Sequence, residues 1–203
     1  MTASSTRSWK SAKGNPSRPM RPTLLLRLLL AALMAWAPQP WADTIPGRSA
    51  ELRLEDDRYV LDAEFELNLN ATLEEAIVRG VPLYFVVEFE LRLPRWFWID
   101  DTVVTNSLTY RLSYNALTRH YRLSTGGAFY QNLPTLEEAQ RSISRVRGRS
   151  VIDKPALLKG VHYEAAVRLR LDTTQLPKPF QISALTSRDW SLQSDWVRWS
   201  FTP

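Results

Sequence analysis

The segment Arg95-Trp96-Phe97-Trp98, followed by Asp100 and Asp101, gathers the residue types best suited to recognition chemistry in this chain. Trp combines a large flat contact area with a polar N–H. Trp96 and Trp98 are two apart and so share one face of an extended segment, where they can stack on a sugar ring or grip a partner chain. Arg95, Asp100 and Asp101 would supply the polar rim. The competing reading is core packing at the end of a sheet, because large buried aromatics dominate small β cores. A second cluster, Arg141, Arg145, Arg147 and Arg149, is purely cationic. Read as the basic face and end of one helix, Arg141, Arg145 and Arg149 suit anionic lipid heads or an acidic partner. They equally suit the negative end of a helix dipole, with Glu137 and Arg141 as an i,i+4 pair.

Catalytic chemistry finds little footing. Glu64 and Glu66, or Glu88 and Glu90, are carboxylate pairs two residues apart, a spacing that could serve acid–base cleavage of a glycoside. They belong, however, to segments that also carry Arg92, Arg111, Arg168 and Arg170, and opposite charges on facing strands read first as cross-strand pairs. The two histidines, His120 and His162, show no H-x-x-x-H or H-x-H spacing, so no metal site is expected. There is no G-x-S-x-G elbow, phosphate loop or dinucleotide fingerprint. No catalytic residue and no cofactor is expected.

These residues must be positioned by strands. Leu61, Phe65, Leu67 and Leu69 alternate with Asp62, Glu64, Glu66 and Asn68, the period of a half-buried strand. The same alternation runs through 85–93, 108–114, 163–171 and 197–201. Asn115-Ala116-Leu117-Thr118 reads as a hairpin connection. Two TLEEA strings, at Thr72 and Thr135, read as capping boxes opening short helices, with Gly80 and Gly148 closing them. Gln175 to Phe180, with Pro177 and Pro179, is expected as an extended crossover or edge. The expected fold is mainly β: an antiparallel two-sheet β-sandwich with two short helices in the connections.

The first 42 residues read as a signal peptide. A basic n-region leads into ten apolar residues, Leu28 to Ala37, about half of the ~20 that span a bilayer. Pro40-Trp41-Ala42 places a small residue at a cleavage point before Asp43, and Met20 is an alternative start. The chain carries 26 Lys and Arg against 21 Asp and Glu, but six of the cations and none of the acids precede Asp43. Residues 43–203 therefore hold 20 cations against 21 acids, a net charge of −1. That removes the basic surface a nucleic-acid reading would need. Seventeen of those 20 cations are Arg, the residue favoured in paired and interfacial roles. The absence of Cys excludes disulfides and zinc–thiolate sites. A single β-rich periplasmic domain over 43–203 is the expected organisation.

Several stretches together carry a family resemblance: Arg79-Gly80-Val81-Pro82-Leu83-Tyr84-Phe85, Arg95-Trp96-Phe97-Trp98, Arg111 to Arg119, Val167 to Asp172, Leu176 to Phe180 and Arg188-Asp189-Trp190. In these the chain resembles the proteobacterial domain-of-unknown-function family 4390. The resemblance implies an exported envelope protein with no assigned activity, often encoded beside a nitrogen-regulation-type sensor kinase and its regulator. The expected function is a non-catalytic periplasmic binding or adaptor domain for an envelope protein partner. A glycan- or lipid-binding domain, or a weak glycan hydrolase, using Trp96 and Trp98 is the alternative. Membrane association of residues 43–203 is not expected.

Overall fold

Two antiparallel sheets are built on the alternation visible in the sequence. The computed structural model describes residues 44–95, 101–126 and 129–203. Its strands are β1 (Thr44–Ile45), β2 (Gly47–Glu55), β3 (Arg58–Phe65), β4 (Leu83–Leu93), β5 (Asp101–Asn115), β6 (His120–Ser124), β7 (Gln131–Leu133), β8 (Arg145–Asp153), β9 (Tyr163–Leu171), β10 (Gln193–Ser194) and β11 (Val197–Phe201). The large sheet runs β1-β10-β9-β4-β5-β6-β7, with β11 also paired to β9 beyond β10. The small sheet is β2-β3-β8. All pairings are antiparallel except the two-residue contact of β1 with β10. The expected two-sheet, mainly-β architecture is what forms.

The core lies between the sheets. Leu83, Phe85, Val87, Phe89 and Leu91 of β4 and Tyr163, Ala165, Val167, Leu169 and Leu171 of β9 are all buried, and they share one cluster with Tyr59, Leu61, Ala63 and Phe65 of β3. Burial of this kind stabilises by roughly 25 cal/mol per Å² of apolar surface. Tyr59 meets Phe201 edge-on with ring centroids 5.1 Å apart. Where β2 crosses β11, a Cβ on Gly47 would run into Cγ2 of Val197, so only Gly allows that approach.

Three α-helices sit in the connections: α1 (Ala71–Val78), α2 (Leu136–Ser144) and α3 (Lys178–Thr186). α2 opens as expected, with Thr135 Oγ1 accepting the Glu138 N–H at 3.2 Å. α1 starts two residues earlier than its TLEEA string suggests. Asn70 is the cap, its Oδ1 accepting the Leu73 N–H at 3.0 Å, while Thr72 is helical and its hydroxyl faces Asp189. Gly80 closes α1 at φ +89° with the Val81 N–H bonded to Ala76 O and the Gly80 N–H to Ile77 O, a Schellman arrangement. α3 replaces the expected extended crossover. Pro177 caps it and Pro179 falls in its first turn, where missing N–H donors cost nothing because those donors have no partners within the helix. None of these helices is long and apolar enough to cross a membrane.

Gly148 does not end a helix. It lies inside β8 at φ +59°, where Leu61 opposes Arg149 and Ala63 opposes Val146, leaving Arg147 and Gly148 as a bulge opposite Asp62. The freed Gly148 N–H donates to Asp62 Oδ1 at 2.7 Å, and Arg53 pairs with Asp62 Oδ2 at 2.6 Å. Asp62 is therefore buried, although alternation alone puts it on the polar face.

Candidate functional site

Trp96, Trp98 and Asp100 lie outside the described residues. Their flanks are defined. Arg95 follows β4, Asp101 opens β5, and the Arg95 guanidinium meets the Asp101 carboxylate at 2.7 Å, both about half exposed. Such a surface pair contributes about 0–1 kcal/mol. The basic helix face is not a helix face: Arg141 lies on α2, but α2 stops at Ser144 and Arg145 and Arg149 belong to β8. Arg145 and Arg147 share the Glu64 carboxylate at 3.5 Å each, and the Glu137–Arg141 ion pair does not form. Arg149 stands near Tyr110, whose phenol is pushed up by burial and pulled partly back by that guanidinium. The structure thus disperses the arginine cluster around two elements and neutralises part of it.

What the structure brings together lies on the outer face of the large sheet. On its β9–β4 half, Glu88 accepts from Arg168 Nε at 2.6 Å and from Arg170 Nε at 2.7 Å. Burial pushes the Glu88 carboxyl up, but the hydrogen bonds and charges of Arg170 and Arg168 together outweigh it and hold the group below the usual carboxylate range. Asp172, also near Arg170, is likewise lowered, by hydrogen bonds from Gln175 and Thr174 that overcome its burial. Arg168 also stacks on Trp196, 4.5 Å from the ring centre. These are the expected cross-strand pairs, closed on themselves.

The β5–β6 half of the same face is different. The hairpin between β5 and β6 pairs Asn115 with His120, and Asn115 Oδ1 accepts the Leu117 N–H at 3.0 Å to shape the turn. Counting back, Ser113 opposes Arg122 and Ser124 opposes Arg111. All four line a concavity of about 400 Å³, with Phe129 and Tyr130 at its rim. Ser124 Oγ donates to the Phe129 carbonyl at 3.0 Å, which ties that residue back to β6. Arg122 lies over the Tyr130 ring at 4.7 Å. Neither Arg111 nor Arg122 has a carboxylate partner among the described residues. Nε of Arg122 is buried and makes no hydrogen bond, and a buried donor left unsatisfied calls for an explanation such as a bound group. The lining presents guanidinium and hydroxyl donors and aromatic faces but no carboxylate or imidazole. It is suited to hold a planar oxyanion beside an apolar group, through fork-like charge-assisted bonds. Sequence reading missed Arg122 entirely.

The fold is a mainly-β, two-sheet domain with the Arg111–Arg122 concavity on one sheet. The chain belongs to the family described as Domain of unknown function (DUF4390), which it matches over residues 42–200. No curated protein and no solved structure matches it.

Proposed function

We propose that residues 43–203, freed of a leader spanning 1–42, act in the periplasm as a non-catalytic binding or adaptor domain. The partner is an envelope protein, of the class of a two-component sensor kinase, and the contact is an acidic group of that partner held between Arg111 and Arg122. The observation that carries this reading is the desolvated, unpartnered Arg122 Nε in a concavity edged by Phe129 and Tyr130, of which Phe129 is 90% exposed. An exposed aromatic beside an unpaired Arg is the composition of an interface hot spot. The aromatic segment with Trp96 and Trp98, which comes after β4 in the chain, is proposed as a second contact.

Photo-crosslinkers at Phe129, Trp96 and Trp98 in intact cells test it. One dominant envelope protein should be captured, and Arg122→Met should reduce that capture at least tenfold without lowering the melting temperature. Unchanged capture by Arg122→Met would remove the pocket from the account. A change in Trp fluorescence with cell-wall fragments or anionic vesicles, together with no protein capture, would favour the glycan or lipid reading instead. Export itself is checked by alkaline phosphatase fused after residue 60, which should be active.

A further inference from the structure

Every sheet has edges, and exposed edges invite pairing unless charge, proline, bulges or cover prevent it. Among the described residues the edges of this domain are guarded with one exception. β2 carries Arg48, Glu51, Arg53 and Glu55 along its nine residues. β8 carries Arg145, Arg147 and Arg149 and is bent by the Gly148 bulge. At the two ends of the large sheet, β1 is two residues long and β7 three. β11 is five, with Arg198 paired to Glu164 and its Val197 end against Gly47.

β5 is the exception. It is fifteen residues long and pairs with β4 from Asp101 to Leu112, whereas β6 covers only Arg111 to Asn115 on the other side. Residues 101–110 therefore present alternate N–H and C=O groups with no backbone partner on that side among the described residues. Their sequence is Asp-Thr-Val-Val-Thr-Asn-Ser-Leu-Thr-Tyr, rich in strand formers, without proline or glycine, and uncharged after Asp101. Nearly all are exposed or half-exposed. One irregularity, the extra residue Val103 opposite the Leu91–Arg92 step of β4, lies near one end and leaves 104–110 regular.

We infer that this edge pairs with the same edge of a second copy of the chain, antiparallel about a two-fold axis through Asn106. The side chains select both the occupant and the register. Centring on Asn106 sets Val104 against Leu108 on the core-facing side and Thr105 against Ser107 on the outer side. Centring one residue later would set Asn106 against Leu108, a polar group against an apolar one. Cross-strand pairs of matched type are what fix register in antiparallel sheets. The two large sheets would become one continuous sheet, with the concavity at Arg122 left on its outer face. The inference goes beyond the binding role proposed above and does not depend on it.

The chain has no cysteine, so single cysteines report the axis directly. Sedimentation of purified 43–203 should give twice the monomer mass. Asn106→Cys should oxidise to a disulfide-linked dimer at least tenfold faster than Ser107→Cys, because residues two positions out of register lie beyond the Cα separation a disulfide spans, about 7 Å. Thr105→Lys with Ser107→Lys puts like charges opposite each other twice and should yield monomer. Thr105→Lys with Ser107→Glu puts opposite charges there and should restore the dimer. Both double variants should melt near the parent temperature when diluted to monomer, which separates lost pairing from lost folding. A wild-type chain that is monomeric at every concentration, a dimer indifferent to the lysine pair, or faster oxidation of Ser107→Cys would each overturn the inference. Arg122-dependent capture of a partner would be untouched by any of these results.

Discussion

Two halves of one sheet face use arginine in opposite ways. On β9 and β4, Arg168 stands directly opposite Glu88 in the strand register, and Arg170 reaches the same carboxylate. On β5 and β6, Arg111 stands opposite Tyr84 on one side and Ser124 on the other, and Arg122 opposite Ser113 and Asn132. The residue type is the same and the sheet is the same. What differs is whether the facing strand offers a carboxylate or a hydroxyl. In the first half the charges are consumed by the fold; in the second they are left for something else to satisfy.

The sharpest way to break that contrast is to open the closed half. Glu88→Gln takes the carboxylate from two half-buried guanidinium groups, of which Arg170 keeps Asp172 at 3.5 Å, and should cost about 2 kcal/mol in denaturant unfolding, less than the ~3–5 kcal/mol of a fully buried pair because solvent still reaches both arginines. Acid should do the same to the wild type. The folded Glu88 carboxyl is held below its unfolded value, so the unfolded chain binds more protons in that window. The contribution is complete above the ordinary carboxylate value of about 4.3 and is lost as pH falls through the lowered folded value. Urea midpoints of wild type and Glu88→Gln, separated at neutral pH, should converge as the solution is acidified. Closing the open half is the converse. Ser113→Glu places a carboxylate opposite Arg122 as Glu88 stands opposite Arg168, and should raise stability by up to about 1 kcal/mol while abolishing partner capture at Phe129. The smallest effect belongs to the exposed Arg95–Asp101 pair: Asp101→Asn should shift stability by less than about 0.5 kcal/mol, measured by the same melts.

Much of the fold was legible because strands with one buried face announce themselves: Phe85 to Leu93 and Tyr163 to Leu171 alternate cleanly and form the centre of the large sheet. β2 escaped because Ala50, Leu52 and Leu54 of this edge strand stay partly exposed and their alternation is faint. β8 escaped because its arginines and Gly148 resemble the end of α2. The left-handed φ of Gly148 serves a bulge as well as it serves a helix stop, and only the register against β3 distinguishes them. Pro177 and Pro179 misled in the same way, since a missing donor excludes a central strand but not a first helical turn. The site was hidden for a different reason. Alternation places Arg122 on the outer face, but its lack of a partner depends on what the neighbouring strand sets opposite it. That follows from the Asn115–Thr118 hairpin, which fixes Ser113 against Arg122 once it is counted through.

The guarded edges of β2 and β8 have a consequence for growth. A unit with two open edges has the valence of a monomer in chain polymerisation, each addition exposing a fresh end and sheets extending into fibres. Charges on β2 and the kink at Gly148 cap the small sheet at both sides, while the two-residue β1, the short β7 and the pinned β11 leave the large one with β5. A domain that pairs through β5 alone, as inferred above, has a valence of one, and a monovalent unit can only form a pair before growth terminates.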